Sequence, residues 1–113
     1  MKDIVVVGYA GNPGGNEGVL TAIYNIAKEN HCGCRIEIKK IPIKQETIRE
    51  CDAQNIDPYR LPTDAYVVLA DSGYQMEKEL EAKGLFGRCV GCLTDGNDKV
   101  IIDKTEIEYI NKQ

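Results

Sequence analysis

Apolar residues gather in short runs along the chain, and these runs predict buried strands. Residues 4–9 read IVVVGY and residues 65–70 read AYVVLA, which is typical of strands that are covered on both faces. Residues 88–93 predict another strand of this kind, and residues 99–102 a short strand after a Gly-Asn turn. Residues 35–43 alternate apolar with charged side chains and include a proline, so we expect an edge strand with one wet face there.

After the first strand, apolar residues within 19–30 recur with the period of a helix. The predicted helices cover residues 19–30, 45–53, 75–83 and 106–111. Asn16 is placed to cap the first helix, Ser72 or Asp71 the third and Thr105 the last, while Gly84 stops the third. Alternating strands and helices favour a mostly parallel sheet with right-handed crossovers. We therefore expect one α/β domain over residues 1–113, a three-layer sandwich around a mostly parallel, four- to five-stranded, Rossmann-like sheet.

Charge and hydropathy exclude several classes of protein. The 113 residues carry a net charge of -4, whereas a general nucleic-acid binder needs Lys and Arg to neutralise phosphates, so we expect no nucleic-acid partner. No apolar run approaches the roughly 20 residues that span a bilayer, and the first residues do not have the pattern of a signal peptide. We therefore expect a cytoplasmic protein with no membrane partner.

The loop after the first strand is rich in glycine, as are loops whose backbone amides approach a phosphate or a sugar. Its candidate ligand-binding residues are Gly8, Tyr9, Gly11, Asn12, Gly14, Gly15 and Asn16. The spacing matches G-x-G-x-x-G imperfectly, and no Gly-Lys-Ser/Thr follows, so the loop is not a P-loop. A plain tight turn between a strand and a helix is the alternative interpretation.

A second group of candidates lies where the strand at residues 65–70 ends. Asp71 follows the strand, and Ser72 and Gly73 open the next helix, so all three are candidate ligand contacts. Glu77 would lie one turn inside that helix and point back toward the strand ends. A carboxylate there can attack an anomeric carbon or hold a sugar hydroxyl, and a charged helix face in solvent is the alternative.

The same stretch, DAYVVLADSGYQMEKELEAKG followed by GRCVGCLTD, resembles the core signature of the nucleoside 2-deoxyribosyltransferase family and its nucleotide N-glycosidase relatives. In that family, a strand that ends after an Asp-Ala-x-Val-Val pattern leads to Asp-x-Gly-x-x-x-Glu, and a second strand ends near an aspartate. The positions in register are Asp64, Ala65, Val67, Val68, Asp71, Gly73, Glu77, Val90, Leu93 and Asp95.

The resemblance implies a catalytic set of Glu77, Asp71 and Asp95. Glu77 would attack C1′ of a 2′-deoxynucleoside or nucleotide and expel the base, after which a second base or water takes the sugar. Asp71 would hold the sugar hydroxyls, Asp95 would assist protonation of the leaving base, and Gly8 and Tyr9 would form the floor of the site. No cofactor is implied. Members of the family generally work as oligomers, so the resemblance also implies a homo-oligomer.

The five cysteines allow a different chemistry. Cys32 with Cys34 and Cys89 with Cys92 form a CxC and a CxxC pair, which together supply the four thiolates of a structural metal site. Against a metal, residues three apart in a straight strand face opposite ways, and free cysteine is a common core residue. We expect no metal, and a cysteine-based metal or redox protein is kept as an alternative.

Besides the cysteine-based protein and a subunit of a larger complex with no site of its own, two functional hypotheses follow from these patterns. The first is an enzyme that transfers or hydrolyses an N-glycosidic bond with a glutamate nucleophile. The alternative is a protein that binds a nucleotide signal without cleaving it, so whether the chain is an enzyme stays open. The partner expected in either case is a small-molecule nucleoside or nucleotide.

Overall fold

The computed structural model describes residues 2–103 and 106–110, which form one mixed sheet with helices against both faces. The strands are β1 (Asp3–Val7), β2 (Gly33–Glu37), β3 (Tyr66–Ala70), β4 (Gly87–Thr94), β5 (Lys99–Asp103) and β6 (Glu106–Tyr109). The helices are α1 (Val19–Glu29), α2 (Gln45–Gln54) and α3 (Gly73–Ala82), with 3₁₀ turns at Ile38–Lys40 and Pro58–Arg60.

The sheet is mostly antiparallel, so the predicted mostly parallel, Rossmann-like sheet is wrong. The six strands lie in the order β3-β1-β4-β2-β5-β6. Within the described residues, β2 and β5 form the one parallel pair, and the other four pairings are antiparallel. The chain is therefore a small α/β domain with a six-stranded mixed sheet.

Two strand-helix-strand units that interlock explain this difference. Both β1 and β2 run antiparallel to β4, so they are parallel to each other with β4 between them. Likewise β3 and β4 are parallel to each other, with β1 between them. Each unit keeps the parallel direction that its helical connection favours. The hydrogen-bonded neighbours come from the other unit, and they run the opposite way.

The main core lies between α1 and one face of the sheet. Val19, Leu20 and Ile23 of α1 recur with helical spacing and pack against Ile4 and Ile36, and all five side chains are almost inaccessible to solvent. Burial of each such side chain stabilises the fold by roughly 1.5–3 kcal/mol. This core joins β1, β4, β2 and β5 to the helix.

The opposite face of the sheet has a smaller core under α3. Leu80 and the half-buried Met76 of this helix pack on Val5, Val7 and Ala70. Since α3 contacts β4, β1 and β3, it covers one half of this face. Over the other half, Ile107 and Tyr109 of β6 are more than 60% exposed, at 63% and 62%.

Three predicted elements differ from the structure. The strand predicted at residues 35–43 ends at Glu37, and it lies inside the sheet rather than at an edge, because β5 pairs with its outer side. The strand predicted as buried at residues 65–70 is an edge strand. The helix predicted at residues 106–111 is wrong as far as it is described, because β6 occupies Glu106–Tyr109; Thr105 and residue 111 lie outside the described residues.

The ends of the helices follow the local sequence in part. Ser72 caps α3 as predicted, since its hydroxyl accepts a hydrogen bond from the Gln75 amide at 3.2 Å. After Ala82, Lys83 is the C-cap and Gly84 follows with φ +76°, as predicted. Asn16 does not cap α1, because the N-cap is Gly18 and makes no side-chain hydrogen bond.

Candidate ligand site

The glycine-rich loop is fastened to a segment of its own chain. The Asp64 amide donates to the carbonyl oxygen of Asn12 at 3.2 Å, and the Thr63 hydroxyl donates to that of Tyr9 at 3.2 Å. Gly15 has φ +62°, and a Cβ there would collide with the Thr63 carbonyl oxygen. Close packing on residues 63–65 therefore accounts for much of the glycine content, and ligand binding by the loop stays a prediction.

The second group of predicted ligand contacts, Asp71, Ser72 and Gly73, lies at the opposite end of the sheet from this loop. Val7, just before the loop, pairs with Tyr66, whereas Asp3 pairs with Ala70, just before Asp71. The two loops would share an edge if β1 and β3 were parallel. Because these strands are antiparallel, the structure separates the loop at residues 8–16 from Asp71, Ser72 and Gly73.

Asp71 and Asp95 are both exposed at that far end. The Lys2 ammonium lies 2.6 Å from an Asp71 carboxylate oxygen, and this hydrogen bond and its charge lower the pKa of the Asp71 carboxyl. The Gly73 amide donates to the Asp3 carboxylate at 2.8 Å, so the amino end of α3 already has an anionic partner. Asp95 lies in the turn after β4.

Glu77 lies in a groove on the face of the sheet that α3 covers in part. Its carboxylate accepts a hydrogen bond from the Cys89 amide at 2.9 Å, so it joins α3 to β4. The groove has a volume of about 560 Å³, and charged side chains such as Glu37, Lys40 and Arg88 surround it. Asp71 lines a different cavity, so the structure does not bring the predicted nucleophile and the predicted sugar-binding residue together.

A β-bulge determines how the cysteines of β4 are oriented. Val5 pairs with Cys89 and Ile4 with Gly91, so one residue of β4 is extra. This shift of phase turns Cys89 and Cys92 to the same face, where both line the groove of Glu77. The expectation that they face opposite ways is wrong, because it assumed a straight strand.

The structure does not support a metal site built from the two cysteine pairs. Cys32 and Cys34 are buried in the main core, on the face of the sheet opposite to the groove. Burial raises the pKa of the Cys34 thiol to about 11, so it stays protonated at neutral pH. Over residues 2–103 and 106–110, no group of three or more histidine, cysteine or carboxylate side chains is placed to hold a metal ion.

The structure reveals an aromatic pair that the sequence analysis did not find. The rings of Tyr9 and Phe86 are stacked, with centroids 5.1 Å apart and planes at 16°. Two backbone hydrogen bonds hold Tyr9 in place, from the Gly8 amide to the Phe86 carbonyl and from the Ala10 amide to the Pro42 carbonyl. Phe86 is 42% exposed, which leaves part of a ring free to contact a ligand.

Cations surround this pair. The Lys44 ammonium lies 5.4 Å from the Tyr9 ring centroid, and the Arg88 guanidinium lies 5.8 Å from that of Phe86. A cavity of about 330 Å³ beside the rings is lined by Lys39 and Arg88. We call the five residues Tyr9, Lys39, Lys44, Phe86 and Arg88 the aromatic-cationic patch.

The patch has a local excess of positive charge. Within the described part of the chain, neither Lys44 nor Arg88 forms an ion pair, and the Lys39 ammonium lies 3.8 Å from a carboxylate oxygen of Asp103. Lys40, next to the patch, is paired with Glu37 at 2.8 Å, and this hydrogen bond and its charge raise the pKa of Lys40. Two cations without an ion pair in the described residues, beside the exposed Phe86 ring and the half-buried Tyr9 ring, suit an anionic aromatic ligand.

Comparisons with known proteins bear on the fold of this small α/β domain. No family model and no curated protein matches the chain. Several solved structures do match it, and those of HypE, a hydrogenase maturation protein, are among them.

The crystal structure of E. coli HypE superposes with a TM-score of 0.84 over 99% of this chain and 49% of that one, at 12% identity. A HypE–HypF complex gives 0.73 over 96% and 36%, at 22% identity, and HypE in complex with ATP gives 0.75 over 98% and 36%, at 13% identity.

At these identities the likeness shows the fold alone. The chain spans between about a third and a half of the length of these structures. The resemblance to nucleoside 2-deoxyribosyltransferases is wrong, because the structural neighbours are HypE proteins and the sheet is mixed. The matched strand motif, DAYVVLAD, reflects a short apolar strand before a helix, a pattern that many folds share.

None of the helices within the described residues is long and apolar enough to cross a membrane.

Proposed function

We propose that this protein binds a nucleotide, a nucleoside carrying phosphate, at the aromatic-cationic patch. The observation that carries the proposal is the stacked Tyr9–Phe86 pair flanked by Lys44 and Arg88, two cations without a carboxylate partner in the described structure. A base would stack on the exposed part of Phe86, and the phosphates would lie against the cations.

The expected energies suit a moderate affinity. Stacking of a base on an aromatic side chain is worth about 1–3 kcal/mol, and hydrogen bonds from Arg or Lys to a phosphate are roughly twice as strong as neutral ones. Arg88 also lines the neighbouring groove of about 560 Å³, so a ligand larger than the patch has space on the Arg88 side. The backbone hydrogen bonds that fix Tyr9 reduce the cost of ordering the site on binding.

One structural neighbour supports the choice of ligand. A HypE structure of the same fold was determined in complex with ATP. Another neighbour is a HypE–HypF complex, and a protein partner for this chain is likewise a proposal. Self-association of the chain, expected from the sequence, also remains a proposal.

Calorimetric titration of the protein with ATP, ADP, adenosine and inorganic triphosphate tests nucleotide binding. We expect ATP to bind most tightly, because it alone offers both the base and the full phosphate chain. Phe86→Ala and Arg88→Ala should each weaken ATP binding about tenfold, which corresponds to about 1.4 kcal/mol.

Lys99→Ala is the matched control, because it removes a lysine that lies 5.3 Å from the ring of Tyr24 in another part of the fold. The proposal is refuted if no nucleotide binds, or if Lys99→Ala weakens binding as much as Arg88→Ala does. Chromatography of the same samples tests the predicted N-glycosidic cleavage. Free base that disappears in Glu77→Gln would make the chain an enzyme, and intact nucleotide would leave binding as its function.

A further inference from the structure

The two edges of the sheet differ in how they are protected against pairing with another strand. Edge strand β6 is four residues long, and Glu106 and Glu108 alternate with its apolar residues. Charges on an edge strand discourage another strand from adding to it. Edge strand β3 reads YVVLA, with no charge, no proline and no glycine. It pairs with β1 in an unbroken register of five residues, so no bulge twists it away.

The surroundings of β3 leave room on both sides of this edge. On the α1 side, a groove of about 240 Å³ is lined by Ala22, Ile26 and Val67 among others. On the α3 side, a groove of about 330 Å³ is lined by Ala70 and Met76 among others. Alternate residues of an edge strand direct their N–H and C=O groups away from the sheet. An added strand would therefore find backbone partners. Above and below it lie both apolar and charged side chains, the charged ones including Glu17, Glu29 and Glu79.

We propose that β3 is a dimerisation strand, which pairs antiparallel with β3 of a second copy of this chain to make one continuous sheet. The two-fold axis passes through Val68. Tyr66 then lies opposite Ala70 of the second copy, and Val67 lies opposite Leu69. This interface is independent of nucleotide binding, since the aromatic-cationic patch has no residue in β3.

Self-complementarity of the sequence identifies a second copy as the occupant. In this register, every pair formed by the five residues of β3 is apolar, and Asp71 falls beyond the paired residues. A one-residue shift of the axis to Leu69 would place Asp71 opposite Val67. A two-fold axis through Ile107 of β6 would set Glu106 against Glu108 of the other copy, and directly opposed like charges are destabilising. The sequence therefore favours pairing at one edge and opposes it at the other.

Light scattering coupled to size-exclusion chromatography, on the full chain, tests the interface. We expect a dimer for the wild type. Val68→Lys and Val68→Glu each place two like charges together on the axis and should raise the dimer dissociation constant at least about tenfold. A mixture of the two variants should dimerise again, because Lys then faces Glu. Ile107→Lys is the control for a charge on an edge strand, since it puts the same charge on β6, where the side chain is 63% exposed. Val68 is half-buried against the core under α3, so the folding of both Val68 variants is checked by circular dichroism.

Several outcomes would overturn the proposal. The first is a monomeric wild type, and the second is a dimer that is lost in Ile107→Lys but kept in Val68→Lys. The third is a mixture of Val68→Lys and Val68→Glu that stays monomeric although circular dichroism shows both variants to be folded. Capture of an extended peptide by a monomeric chain would give β3 a different partner and would also overturn it. Hydrogen exchange tests the interface on the wild type alone, so it does not depend on whether a variant folds. The amides of β3 should exchange more slowly as the protein concentration rises. Slowing in β6 alone, or in neither strand, refutes the proposal.

Discussion

Titration of the Cys34 thiol should make the protein less stable at high pH. Cys34 lies in β2 with no exposed surface, and burial is the largest cause that raises its thiol pKa from 9.0 to about 11. The charge of Lys99 lowers this pKa, but by less than burial raises it. In the unfolded chain the thiol loses its proton near its ordinary pKa. Between pH 9 and 11, the folded state therefore holds a proton that the unfolded state has lost.

The sign and size of the effect follow from linkage. Where the folded state binds more protons than the unfolded state, the free energy of unfolding falls as pH rises. A pKa raised from 9.0 to about 11 corresponds to a loss of about 2–3 kcal/mol, at 1.36 kcal/mol per pH unit. This contribution is fully present below pH 9 and disappears as pH rises to 11. Cys34→Ala lacks the thiol and should not show this loss.

Denaturant unfolding under reducing conditions, followed by circular dichroism from neutral pH to pH 11, measures the effect. We expect the stability difference between wild type and Cys34→Ala to be constant near neutral pH and to shrink by about 2–3 kcal/mol above pH 9. All other titrating groups are present in both proteins, so their contributions cancel in this difference. Stability curves that stay parallel up to pH 11 would refute the reasoning.

Three further predictions test how the backbone and the thiols are placed. Gly15→Ala and Gly84→Ala both put a side chain at positive φ, which costs about 1–2 kcal/mol, but only Gly15 is packed against another segment. In denaturant unfolding, Gly15→Ala should therefore lower the free energy of unfolding by roughly 1–3 kcal/mol more than Gly84→Ala does. Equal losses in the two variants would contradict the packing. Ser72→Ala should lower the free energy of unfolding by about 1 kcal/mol through loss of the helix cap, whereas unchanged stability would show that the cap contributes nothing. In the folded protein, a thiol reagent should modify Cys89 and Cys92 and reach the other three cysteines only after unfolding; intact mass spectrometry that finds five fast thiols, or none, would rule out this placement.

Local patterns in the sequence were enough to predict most elements but not their neighbours. Apolar runs located β1 and β4, helical periodicity located α1, and the helices predicted at 45–53 and 75–83 match α2 and α3 to within a few residues. These signals depend on residues that are close along the chain. Which strands pair, and in which direction, depends on contacts between distant residues. Alternation of strands and helices therefore favoured a parallel sheet, although the two units interlock and most pairs are antiparallel.

Errors at the level of single elements have the same origin. A cap candidate, Thr105, precedes residues 106–111 and suits a helix there, yet residues 106–109 pair with β5. The tertiary contact decides the structure of so short a segment. The orientation of Cys89 and Cys92 depends on one extra residue in β4 opposite β1, and a bulge of this kind leaves little trace in the composition of a strand.

The antiparallel pairing of β1 with both β3 and β4 explains the separation of the predicted site residues and the presence of the patch that we propose. In a parallel sheet, the loops after β1 and β3 would meet at one edge, and the glycine-rich loop would face Asp71. Because β4 runs opposite to β1, Val7 pairs with Gly87, and the residue before β4 meets the residues after β1. The Gly8 amide then donates to the Phe86 carbonyl, and the Tyr9 and Phe86 rings stack. The aromatic-cationic patch is thus a direct consequence of a strand direction that no local pattern contains.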